Sequence, residues 1–121
     1  MPVEFYRTLH LIGIFTVILS LGGMCLHVIS GGTRNYGGRK LAAMTHGIGL
    51  LVVLVAGFGL LAKLGYMRAI PGWAIAKVVI WLILGVMPAL IYRKPNLAKT
   101  FWVLILVFGA LNAYLAIYKP F

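Results

Sequence analysis

Four runs of apolar residues, 8–29, 41–62, 70–92 and 100–118, take up nearly all of this 121-residue chain. About 20 such residues, each rising about 1.5 Å as a helix, cross a hydrocarbon core of ~30 Å. A soluble domain this small has no interior in which to hide four of them. The runs therefore fix the class before any motif is read: an all-α integral membrane protein. Its whole length, 1–121, reads as one four-helix domain with spans over about 5–29, 40–63, 70–92 and 98–118. The connections are short, so successive spans are expected to return beside one another as an antiparallel up-and-down bundle.

The charges say how such a bundle would sit. Eleven Lys and Arg face the single acid Glu4, for a net charge of +10. Arg34, Arg39, Lys40, Arg93, Lys94 and Lys99 fall in the first and third connections, against Arg7, Lys63, Arg68 and Lys119 on the opposite side. By the positive-inside rule the first and third connections are cytoplasmic and both termini extracytoplasmic, as in a bacterial inner membrane protein. The basic residues lie at membrane edges and form no extended groove interleaved with aromatics, which excludes nucleic acid as the partner and points to anionic lipid headgroups. The first run is too long for the apolar part of a cleavable signal peptide and is expected to remain as a span. Cys25, the only cysteine, excludes an internal disulfide and a covalent haem attachment motif, and is expected to pack as a small hydrophobe.

An ionisable side chain in hydrocarbon is costly unless it is paired, hydrated or ligated, so His10, His27, His46 and Lys77 are the candidate functional residues. Counted in helical rise, His10 and Lys77 lie at one level, roughly 9 Å below one membrane edge, and Asn112 reaches a similar level. His27 and His46, joined across a Gly-rich turn, fall near the other edge within ~5 Å of each other in depth. His10 and His27 are rotated by roughly 100° on one helix, so they do not serve one cofactor. Neutral imidazole is the usual axial ligand of haem iron, and b-type haem needs only ligands and an apolar slot. The expectation is therefore a haem b protein with His27 and His46 as metal ligands, and with His10 and Lys77 as a competing site. Gly47 and Gly49 beside His46, and Gly23 one turn before His27, would let a flat macrocycle approach. For each of these residues there is also a plainer reading. His27 would reach to headgroups, His46 would bond to a neighbouring helix, Lys77 would snorkel, and Met24 and Met44 would be core. Pro88 is expected to kink its span and free a carbonyl. Ala43 with Gly47, Gly109 with Ala113, and the Gly22 and Gly23 pair read as notches for close helix packing.

Leu9-His10-Leu11 opening the first span, Thr45-His46 in the second, and Gly72-Trp73-Ala74-Ile75-Ala76-Lys77 opening the third together resemble the small four-helix SirB-like membrane proteins. More distantly they are similar to CopD-like copper-resistance proteins and HemJ-like protoporphyrinogen oxidases. The resemblance implies an all-helical membrane fold with a haem-associated background. In HemJ-like enzymes the first-span His and third-span Lys are the functional pair, which matches His10 and Lys77 here. This chain has His27 where those enzymes show an Arg. Two classes of function follow: a membrane haem b protein in electron transfer or haem handling, with quinone as a possible partner, or a non-enzymatic subunit of a larger membrane complex.

Overall fold

The structure, a computed structural model, describes residues 2–33 and 35–118. Arg34 and Lys119, two of the charges counted for orientation, lie outside the described residues. Four helices carry the chain: α1 (Val3–Ile29), α2 (Arg39–Lys63), α3 (Gly72–Arg93) and α4 (Ala98–Tyr118), with a 3-10 turn at Pro95–Leu97 before the last. All four are long and apolar enough to cross a membrane. Their limits follow local chemistry. Pro71 caps α3 in the extended region and disfavours helix at Ile70, so α3 begins at Gly72 and not at 70. Helices α1 and α2 both end on a glycine of positive φ, Gly31 at 88° and Gly65 at 83°. In each case the next two N–H groups turn back, Gly31 to Val28 and Gly32 to His27, Gly65 to Ala62 and Tyr66 to Leu61, and so satisfy carbonyls at the helix end.

Helix α1 is the centre of the assembly. It packs along α2, and also meets α3 and α4, whereas α2 and α3 touch each other at few points. Glycines make the seam between α1 and α2. A Cβ on Gly13 would lie 2.8 Å from Val53 Cγ2, and one on Gly49 would lie 2.9 Å from Val17 Cγ2. Farther along, Gly57 lies against the His10 ring and Gly59 against Tyr6. Residues rising in number along α1 thus meet residues falling in number along α2. Of the glycines singled out from sequence, Gly47 and Gly23 have nothing within contact distance, Gly109 lies against Ile18, and Gly49 admits close approach but is filled by Val17 rather than open to a macrocycle. Cys25 is fully buried among Leu21, Met24 and Val28, a small hydrophobe in the core.

Candidate functional site

Three of the polar residues placed at one depth by counting do come together. His10 of α1, Lys77 of α3 and Asn112 of α4 all line a cavity of about 100 Å³ walled by all four helices, including Phe58, Trp73 and Trp81. The same three residues also line a second groove, about 320 Å³, which runs between α1 and α4 past Phe15, Leu106, Ala110 and Ala113. They are the shared wall of the two. The His10 Nδ1–H donates to the Val53 carbonyl at 3.0 Å, which fixes the tautomer of a neutral ring and leaves the Nε2 lone pair as an acceptor. Nε2 bonds to no described residue. Gly57 allows this placement, since a Cβ there would stand 3.2 Å from His10 Cε1. Asn112 Oδ1 is buried and has no hydrogen-bond partner among the described residues. In hydrocarbon such an atom is costly to leave unpaired.

The other two histidines are engaged elsewhere. His46 is 5% exposed, and its Nε2–H donates to the Leu84 carbonyl of α3 at 3.0 Å. Leu84 is the residue whose carbonyl would accept the N–H of residue 88 within α3. Residue 88 is proline and has no N–H. His46 therefore supplies the donor that Pro88 took away, and the freed carbonyl expected from sequence and the plain reading of His46 prove to be one feature. Trp81 makes the second such link, its Nε1–H donating to the Leu50 carbonyl at 3.0 Å. Sequence reasoning passed over Trp81, although an indole N–H in mid-span needs an acceptor and was a readable signal.

His27 belongs to the connection that follows it. Its Nε2–H donates to the Thr33 carbonyl at 2.8 Å, and its ring stacks on Tyr36 at 3.6 Å. Tyr36 in turn shares a 2.6 Å hydrogen bond with Tyr92 at the end of α3, over which Arg39 lies at 5.9 Å. The α1–α2 register puts His46 level with Ser20, and Ser20 to His27 is roughly 10 Å of helix. The depth match of ~5 Å counted from sequence is thus about half the separation found. Counting missed it because the connection folds back as a strap over the end of α1, and the glycine seam then draws His46 deeper.

Among the described residues no three His, Cys, Asp or Glu side chains gather as a metal site. A haem needs fewer protein donors than that, and His10 is the imidazole whose second nitrogen faces a cavity. Its Nδ1–H to carbonyl bond is the arrangement that usually orients a metal-binding imidazole. The slot itself is smaller than a porphyrin, so the ring could enter only if the helices part, as α2 and α3 could. Their backbones come close at few points, and the His46 and Trp81 bonds link them. No protein-family model matches the chain, and neither the curated proteins nor the solved structures contain a match.

Proposed function

We propose that this is an integral membrane protein that binds haem b and acts in electron transfer or haem handling, with His10 as the axial ligand. The observation that carries the reading is the half-buried His10, tethered through Nδ1 and open at Nε2, in one cavity with Lys77. The ammonium of Lys77 is suited to a propionate, or to a second axial position. His46 is not proposed as a ligand, because turning its Nε2 away would orphan the Leu84 carbonyl. In this reading the spans form an up-and-down antiparallel bundle in a bacterial inner membrane, with both termini extracytoplasmic and anionic lipid at the basic connections. The His10 layer then lies in the outer leaflet.

The test is the visible spectrum of protein purified from cells supplied with haem. A Soret band that acid–acetone removes, that His10→Ala abolishes and that His27→Ala spares is the expected result. Absence of a Soret band in the wild type overturns the reading. The subunit reading then takes its place, supported by the exposed stripe Leu41, Met44, Ile48, Leu51 and Val55 on α2, in which Gly47 leaves an open notch. The HemJ-like oxidase activity would use the same His10 and Lys77, and oxidation of a porphyrinogen by the purified protein is its assay.

A further inference from the structure

Two acceptors in the wall shared by the slot and the groove have no donor among the described residues: His10 Nε2 and the buried Asn112 Oδ1. Beside them Lys77 brings N–H donors. The occupant that suits this wall must give protons to two acceptors and tolerate a neighbouring ammonium. A ketone, ether or carboxylate only accepts, and an ammonium only donates. A hydroxyl does both.

The groove leading away from this wall is apolar, and its volume of about 320 Å³ falls in the range of small-molecule sites. Phe15 and Leu106 flank it, and Gly109, Ala110, Ala113 and Ala116 present small side chains over which a hydrocarbon chain can lie. Two acceptors call for two hydroxyls, and an apolar channel within the bilayer calls for a tail. We propose that the groove between α1 and α4 binds the reduced, two-hydroxyl form of a lipid quinone. One hydroxyl lies between Asn112 Oδ1 and Lys77, and the ring is placed so that the second can reach His10 Nε2. This goes beyond the haem reading and stands without it. Where haem holds His10 Nε2 and Lys77, Asn112 Oδ1 still accepts from one hydroxyl.

The oxidised quinone has carbonyls in place of hydroxyls and leaves Asn112 Oδ1 unpaired, so redox state should govern affinity. One hydrogen bond to a buried, otherwise unpaired atom corresponds to about a tenfold difference in binding. The experiment uses purified full-length protein in nanodiscs, prepared without added haem. Binding is read by calorimetry for a short-tailed benzoquinol under anaerobic conditions, for its quinone, for the quinol's dimethyl ether and for a long-chain alcohol.

The quinol should bind about tenfold tighter than the quinone, the ether or the alcohol. Asn112→Leu should bring the quinol down to the affinity of the quinone and leave the quinone unchanged. That variant removes an unpaired polar atom, so it should keep its melting temperature. Asn112→Asp gives a second readout if the leucine fails to fold, since a carboxylate is also an acceptor and should retain the preference. Equal binding of quinol, quinone and ether means unselective partition into an apolar groove and overturns the proposal. An alcohol that binds as well as the quinol makes a hydroxyl-bearing lipid the occupant and overturns it too, as does no binding at all. None of these results depends on a Soret band, so a failure here is distinct from a failure of the haem reading.

Discussion

His46 and His10 make the same bond in opposite circumstances. Each donates a ring N–H to a backbone carbonyl of a neighbouring helix at 3.0 Å. The carbonyl that His46 meets belongs to Leu84 and has lost its own partner to Pro88, so the imidazole completes a broken helix. The carbonyl that His10 meets belongs to Val53, within the unbroken helix α2, where the backbone does not need it. There the bond aims the ring. What remains around His46 is packed protein, whereas what remains around His10 is a cavity with Lys77 and a buried Asn112 oxygen that has no partner among the described residues. A hydrogen bond does not by itself make an intramembrane histidine structural. The question is whether its acceptor would be orphaned without it.

The sharpest way to break this comparison is to remove His46. His46→Leu leaves a carbonyl in hydrocarbon unpaired, and should lower unfolding free energy by about 1–3 kcal/mol in a detergent unfolding titration. His10→Leu should cost less than about 1 kcal/mol, since Val53 keeps its helical bond. Equal costs would sink the distinction.

A double-mutant cycle refines it. Pro88→Ala restores an N–H for Leu84, so His46→Leu made in that background should cost about 1 kcal/mol less than in the wild type. No coupling would show that the link between His46 and Pro88 is coincidental.

Smaller still is Trp81→Phe. It removes the other link between α2 and α3 but leaves Leu50 its place in an intact helix, for a loss of about 0.6 kcal/mol by the same titration. If the slot opens by parting α2 from α3, this variant should also take up haem faster than the wild type in stopped-flow mixing.

The least effect belongs to Gly47→Ala. Gly47 has nothing within contact distance, so the change should fall within about 0.5 kcal/mol of neutral. Gly57→Ala, whose Cβ would press on His10 Cε1, should instead disturb the ligand site. A large effect at Gly47 would mean that the notch is occupied, and would favour the subunit reading.

Much of the scaffold was legible. The limits of α2 and α4 agree with the expected spans to within a residue; α1 starts two residues early, at Val3, and α3 two residues late, at Gly72, the latter because of Pro71. The level shared by His10, Lys77 and Asn112 was also countable, because those three lie well inside helices whose rise per residue is fixed. The depth of His46 relative to His27 was not. Between them lies the connection from the end of α1 at Ile29 to the start of α2 at Arg39, where no fixed rise applies and the Tyr36 clasp sets the path. The notch glycines were misjudged for a related reason. The sequence has 15 glycines, and nothing in their spacing says which face of a span meets another helix.

The sequence by itself determined that this chain forms four helices long and apolar enough to cross a membrane, roughly where each begins and ends, and the common level of His10, Lys77 and Asn112. Length and hydropathy settle these, because hydrocarbon thickness and helical rise are constants. Only the tertiary structure decided which face of each helix turns inward, and with it that Gly49 meets Val17, that His46 repairs Leu84 and that His10 keeps a nitrogen open. In water a buried face announces itself by being more apolar than the rest. In a bilayer the surroundings are as apolar as the core, so rotation is set by van der Waals fit and by stray hydrogen-bond donors finding orphaned acceptors. Such matches exist only between helices, never along one.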